Sequence, residues 1–159
     1  MAGKKVLITD PVAEVCPTIL QEQGLDVDLR TGLTAQQIGQ IIEPYHGLIV
    51  RSGTRVTAEI IERAHNLQVI GRAGVGVDNI DVTAATRHNI AVLNAASANT
   101  ISTAEHTLAL MLALARKIPQ AHQSLMEGRW ERSKFKGVEL FGKTLGIVGL
   151  GKVGREVAK

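Results

Sequence analysis

Short apolar runs alternate with stretches whose apolar residues recur at helical spacing, and this rhythm holds up to about residue 95. Residues 5–9 read as a buried strand that ends at Asp10 and Pro11. Residues 12–23 follow as a helix, with Gly24 suited to the left-handed position after its end. Residues 25–29 alternate apolar and acidic side chains, as a half-exposed strand does. Thr34 and Gln37 have the spacing of a capping box, which opens a helix through Ile42. Further strands are predicted over 47–50, 68–71 and 90–93, with helices over 57–65 and 81–89. Short strands separated by helices pair in parallel through crossovers, and right-handed crossovers make the sheet doubly wound.

The rhythm then changes. Ser102-Thr-Ala-Glu105 has the spacing of a second capping box, opening a long helix with Leu108, Leu110, Met111, Leu112 and Leu114. That stripe suits a core or a dimer interface. Pro119 is expected to break the helix by pushing residue 118 out of helical geometry, and a second piece runs to Gly128. Residues 129–137 form a polar, basic connector, and a new strand over 144–148 runs into Gly149-Leu-Gly151-Lys-Val-Gly154. The prediction is one α/β unit over 1–97 and the start of another over 98–159.

Composition narrows the classes. The chain has 159 residues, is 45% hydrophobic and carries a formal charge of +3, which excludes disorder and collagen-like structure. A single cysteine, Cys16, leaves no disulfide framework and no cysteine-based zinc site. The longest apolar run, 108–115, is far short of the roughly 18 residues of a membrane span, and no signal-peptide pattern follows Lys4 and Lys5. A soluble, cytoplasmic protein is expected, with no membrane partner. The five histidines are dispersed, without metal-ligand spacing. The mild positive charge without a Lys/Arg block points to small anionic ligands rather than nucleic acid. Residues 129–136 mix basic and aromatic side chains, but Glu131 and the short length favour an arm between domains or subunits.

Two places carry chemistry. Gly149, Gly151 and Gly154 match the G-x-G-x-x-G dinucleotide pattern, and the setting is right, with an apolar strand before and a helix after. The first glycine serves the tight turn, the second lets backbone approach a pyrophosphate, and the third lets helix and strand pack closely. The acidic residue expected about 20 positions later for the ribose would fall past Lys159. The chain is therefore expected to stop inside its cofactor domain and to bind a dinucleotide weakly or not at all. The second place is the row of carboxyl strand ends, where open α/β sheets bind ligands. It comprises Asp10, Arg51-Ser52-Gly53, Arg72-Ala-Gly74-Val-Gly76 and Asn94. Two guanidinium groups beside a glycine-rich turn suit a carboxylate or phosphate.

Gly47-Leu-Ile-Val-Arg-Ser52, Gly71-Arg-Ala-Gly-Val-Gly-Val-Asp-Asn79, Ser102-Thr-Ala-Glu105 and Gly142-Lys-Thr-Leu-Gly-Ile-Val-Gly-Leu-Gly-Lys-Val-Gly154 resemble the D-2-hydroxyacid dehydrogenase family over nearly the whole chain. The resemblance implies a flavodoxin-like parallel-sheet substrate domain over 1–97, lacking its C-terminal return segment. A truncated Rossmann-type nucleotide-binding domain would follow over 98–159. It implies NAD as cofactor, contacted by Val75, Gly149, Gly151, Lys152, Val153 and Gly154. A small anionic substrate, a phosphorylated 2-hydroxy acid, would be held by Arg51, Ser52, Arg72, Gly74 and Gly76, with Asn99 near the nicotinamide end. Arg132, in the arm around Trp130, would reach the substrate site of a neighbouring subunit in a homo-oligomer built through 98–137. The family's catalytic Arg, Glu and His would all lie past Lys159, so the 159 residues alone are expected to be inactive. A non-catalytic module that senses NAD or binds anions, corepressor-like, is the alternative from another class, and a related dehydrogenase acting on another 2-hydroxy acid is the alternative within the same class.

Overall fold

A computed structural model describes residues 3–159; residues 1 and 2, with which the expected first domain begins, lie outside the described residues. Five strands form one parallel sheet: β1 (Lys5–Ile8), β2 (Asp26–Leu29), β3 (Gly47–Val50), β4 (Val69–Arg72) and β5 (Ala91–Asn94). Their order is β2-β1-β3-β4-β5, the flavodoxin-like order, in which the direction of winding reverses between β1 and β3. Val6 pairs with Gly47, Val50 with Arg72, and Arg72 with Asn94, so the carboxyl ends of the central strands lie side by side.

The helices connecting these strands are α1 (Val15–Glu22), α2 (Ala35–Ile41), α3 (Ala58–Arg63) and α4 (Val82–Arg87). Two of the starts and one of the ends have a local cause. Thr34 closes the expected capping box with Gln37 in front of α2. Asp81 accepts from the Ala84 N–H at 2.8 Å in front of α4. Gly24, with φ of 79°, turns the chain out of α1 toward β2.

The core lies on one face of the sheet. Leu7, Leu48, Val50 and Ile70 point there, against Ile38 and Ile42, Ile60 and Ile61, and Ala84 and Ala85 from the α2, α3 and α4 segments. Each fully buried Leu or Ile contributes about 1.5–3 kcal/mol of transfer free energy. On the opposite face α1 packs on β2 and buries none of its own residues, and Leu93 of β5 stays exposed.

The chain divides into two compact units, Met1–Ala98 and Asn99–Lys159. The second contains α5 (Thr100–Arg116), α6 (Ile118–Met126), a 3₁₀ helix (Arg132–Phe135) and α7 (Lys152–Ala158), with α5 packed on α6 and α7. Here three expectations change. Helix α5 starts at Thr100, so Ser102 and Glu105 lie inside it rather than forming a cap, and the Ser102 hydroxyl donates to the Asn99 carbonyl. The break between α5 and α6 falls at Lys117, in left-handed geometry with φ of 52°, and Pro119 occupies the first turn of α6, where its missing N–H costs nothing. Residues 144–148 form no strand, and Val148 is fully exposed. An extended segment needs a neighbour for its backbone groups, and no other strand is described in this unit. The leucine stripe is exposed as well: Leu110, Leu112 and Leu114 are half or more accessible, so they are not core in this unit.

At the β1–β2 edge the buried Tyr45 hydroxyl donates to Asp28 Oδ2 at 2.5 Å, and Arg30 Nη2 donates to the same oxygen at 2.9 Å. Burial first, then the bond to Asp28, pushes the Tyr45 phenol up to about 12, while the bonds from Tyr45 and Arg30 hold the Asp28 carboxyl below its ordinary value. A raised native value means that this contribution to stability is complete below the ordinary tyrosine value and is lost as pH rises through about 12. Tyr45 is the only tyrosine, so absorbance of the tyrosinate reports it alone. The expected titration midpoint is about 12; a midpoint near 10, the ordinary value, would contradict the buried bond.

Candidate functional site

Backbone groups at the end of a strand need partners once the ladder stops, and buried ones are costly to leave unpaired. Past β1 the chain buries Thr9 and Asp10, the latter only 6% exposed. Asp10 Oδ2 accepts from the Arg51 N–H at 2.5 Å and from the Thr54 N–H at 3.0 Å. The Thr54 hydroxyl donates to that of Thr9 at 3.0 Å. The carbonyls of the same two loop residues, Arg51 and Thr54, accept from the Asn79 side-chain amide at 2.7 and 2.6 Å. The 51–54 loop is therefore held from two sides, its N–H groups by a carboxylate and its carbonyls by an amide. Gly53 is where the carboxylate passes closest, and a Cβ there would stand 2.6 Å from Asp10 Oδ1.

The two arginines leave neighbouring strands at one edge of the sheet. Val50 pairs with Arg72, and Arg51 follows directly. Arg51 is exposed, and its Nη1 donates to the Pro11 carbonyl at 3.1 Å, across the β1–β3 junction where the winding reverses. Ser52, next to it, is exposed. Arg72 is half-buried; its Nε donates to Asn79 Oδ1 at 3.1 Å, and its Nη1 lies over Gly74, where a Cβ would collide with it. Asn79 thus links the Arg72 guanidinium to the backbone that carries Arg51. The following turn is tied down too: the Gly74 N–H donates to the Arg72 carbonyl at 2.8 Å, and Asn94 donates to the Val75 carbonyl at 2.5 Å. Val75 and Gly76 are exposed at the lip. Two cations and a fixed bend on one edge, at the winding reversal, can take a carboxylate or phosphate through forked guanidinium bonds.

The second unit carries the remaining residues singled out by sequence. Gly149 has φ of 98°, a conformation that a side chain would strain, and a Cβ on Gly154 would collide with the Gly149 carbonyl. Gly151 stands at the N-cap of α7, and Lys152 and Val153 form its first turn. This bare-backbone bend at a helix start fits the phosphates of a dinucleotide. Asn99 stands at the N-terminus of α5. Arg132 opens the 3₁₀ helix and is exposed beside Trp130, lining with Leu125 and Phe135 a groove of about 240 Å³. Glu131 organises this arm. Bonds from Lys134, and then from Ser124, hold its carboxyl below the ordinary range, with the charges of Lys134 and Arg129 acting the same way. Among the described residues no group of side chains is placed to hold a metal ion, and no helix is long and apolar enough to cross a membrane.

Asn79 and Thr54 are the residues that sequence reading missed. Asn79 appears in the sequence only as one letter of a glycine-rich motif. Its available signal is position, seven residues after Arg72 and just past the turn, where an amide can reach back to the preceding loop.

The family model of the D-isomer specific 2-hydroxyacid dehydrogenase catalytic domain matches residues 6–151. A D-3-phosphoglycerate dehydrogenase of Archaeoglobus fulgidus is 55% identical over 155 residues, which cover 98% of this chain and 29% of that protein. The chain thus spans less than a third of the length of such relatives. Among solved structures, the TT0316 protein of Thermus thermophilus superposes with a TM-score of 0.87 at 35% identity, covering 97% of this chain and 51% of that one. The NAD⁺-bound 3-phosphoglycerate dehydrogenase of Entamoeba histolytica does so with a TM-score of 0.78 at 30% identity, covering 99% and 50%.

Removing the Asp10 carboxylate leaves two N–H groups without their acceptor, one of them in buried Thr54. Asp10→Ala is expected to lower stability by about 1–3 kcal/mol for each N–H left unpaired, read as a shift of the urea midpoint. Gly53→Ala, which drives a methyl into the same carboxylate, is expected to act in the same direction. An unchanged midpoint for both would contradict the described bonds.

Proposed function

The chain belongs to the D-isomer specific 2-hydroxyacid dehydrogenase family, and from that premise we propose that it is the N-terminal part of an NAD-dependent D-3-phosphoglycerate dehydrogenase. The reaction is oxidation of the 2-hydroxyl of 3-phosphoglycerate to the ketone of 3-phosphohydroxypyruvate, in the phosphorylated route to serine in the cytoplasm. The observation that supports this reading is the pairing of Arg51 and Arg72 at one sheet edge, linked through Asn79, beside the Gly74–Gly76 turn. A substrate that is anionic at both ends needs two separate cationic contacts, and a guanidinium fork matches carboxylate and phosphate alike.

The division of labour follows. Arg51, with Ser52 beside it, takes the phosphate on the exposed side, while Arg72 and the Gly74–Gly76 backbone orient the carboxylate end. Val75 would be a cofactor contact of the first unit, and Asn99 belongs to the stretch that would serve the nicotinamide end. NAD, when bound, supplies the hydride acceptor. Gly149, Gly151 and Gly154 are the positions that would leave room for its pyrophosphate, with Lys152 and Val153 as the neighbouring contacts. The proton-transfer groups of the family belong to sequence outside these residues, so the 159-residue chain by itself is expected to show no turnover. The exposed leucines of α5 and the Arg132 arm, both within 98–137, form the contact between subunits of a homo-oligomer. Neither nucleic acid nor a membrane is a partner in this reading.

The test is steady-state kinetics of the full protein that carries this sequence, with 3-phosphoglycerate and with unphosphorylated glycerate. Arg51→Ala and Arg72→Ala are each expected to raise KM for 3-phosphoglycerate roughly 10- to 100-fold, as loss of a charge-assisted bond of about 1.5–3 kcal/mol implies. KM for NAD should stay where it is. Equal preference for glycerate, with no effect of either substitution, would overturn the reading.

A further inference from the structure

The loop that carries Arg51 is not held by its own sequence. The backbone groups of its two anchored residues, Arg51 and Thr54, bond to side chains from elsewhere: Asp10, just past β1, and Asn79, in the segment between β4 and α4. Of the two, only Asn79 also touches the second arginine, through Oδ1 to Arg72 Nε at 3.1 Å. Its amide nitrogen donates twice and its oxygen accepts once, so a single planar group ties two carbonyls and a guanidinium together. No other side chain among the described residues bonds to both the 51–54 loop and Arg72.

We infer that Asn79 is a positioning residue that fixes the separation of the Arg51 and Arg72 cations, and so selects a substrate whose two anionic ends match that separation. The inference rests on the phosphate and carboxylate roles proposed above for the two arginines. Asn79 itself need not touch substrate. Its oxygen is taken by Arg72, and its nitrogen is taken by two carbonyls. What it controls is geometry: with the loop carbonyls released, Arg51 keeps its charge and its N–H bond to Asp10 but loses one of the two anchors of its backbone, so part of each binding event goes into ordering the loop.

Asn79→Asp separates the two functions of the side chain. The new carboxylate keeps an oxygen for Arg72 but presents oxygen instead of N–H to the Arg51 and Thr54 carbonyls. In the full protein this variant is expected to raise KM for 3-phosphoglycerate roughly 10-fold, consistent with loss of two net hydrogen bonds. It should leave KM for NAD unchanged and kcat within about threefold, the pattern of lost uniform binding. A substitution that damaged the fold at large would move all three. The deciding measurement is the cycle with Arg51→Ala. If Asn79 acts through Arg51, the double variant has the KM of Arg51→Ala alone.

Effects that multiply in the cycle, or an unchanged KM in Asn79→Asp, would overturn the inference while leaving the role of Arg51 intact. An unchanged KM in Arg51→Ala would instead overturn the phosphate reading, and this inference with it. Should Asn79→Asp fail to fold, as judged by circular dichroism, Asn79→Ser enters the same cycle. It keeps one donor, and multiplication or its absence decides in the same way.

Discussion

Four backbone groups in one loop, the N–H and C=O of Arg51 and of Thr54, set the terms for the whole carboxyl edge of the sheet. The loop leaves β3 beside the core, and Thr54 is buried, so water cannot be the general partner of these groups. The chain answers with one carboxylate and one amide brought in from sequence 25 to 44 residues away. Those bonds do more than satisfy the loop. They join the ends of β1, β3 and β4 into one unit, so the arginines that follow β3 and end β4 start from fixed points. A long side chain loses considerable freedom when it is ordered, and a binding edge already ordered at its backbone has less left to lose.

Topology determines where that edge lies. In the order β2-β1-β3-β4-β5 the crossovers run to opposite sides on either side of the β1–β3 junction, which leaves a crevice between the two loops that follow. Asp10 and Pro11 stand on one side of it, Arg51 on the other, and the Arg51 guanidinium spans it to the Pro11 carbonyl. The polar residues at these positions thus occupy the part of an α/β sheet where a ligand can reach backbone and side chains from both sides. The core, on the α2–α4 face, supports this edge from behind through Leu48, Val50 and Ile70. In the second unit the physics is different. The glycine bend at 149–154 is formed, but the segment that leads into it has no strand to pair with and stays exposed.

Much of the first unit was legible because its signals are local. The three central strands fall within a residue of their apolar runs, since a buried parallel strand is largely apolar, and the edge strand β2 was legible instead from its alternation of apolar and acidic residues. The Thr34 box and the Gly24 stop depend on neighbours within a few residues and were readable for that reason. The second unit was less legible. Ser102 and Glu105 have the spacing of a cap, yet the helix had already begun at Thr100, because nothing in that spacing forbids an earlier start. The apolar run 144–148 has the composition of a strand, but a strand is a relation between two segments, and composition names only one. At the site, the arginines and glycines were visible as residue types at strand ends. The roles of Asn79 and Thr54 were not, because they consist of contacts with residues far away in sequence.

Side chains from outside the 51–54 loop make it as rigid as the strand it leaves. Amide hydrogen exchange on the 159-residue chain measures this directly, residue by residue. The N–H groups of Arg51 and Thr54, bonded to Asp10, are expected to exchange as slowly as those of Leu48 and Ile70 in the adjoining strands, and far more slowly than that of exposed Ser52. Exchange of Arg51 and Thr54 at the rate of Ser52 would contradict it.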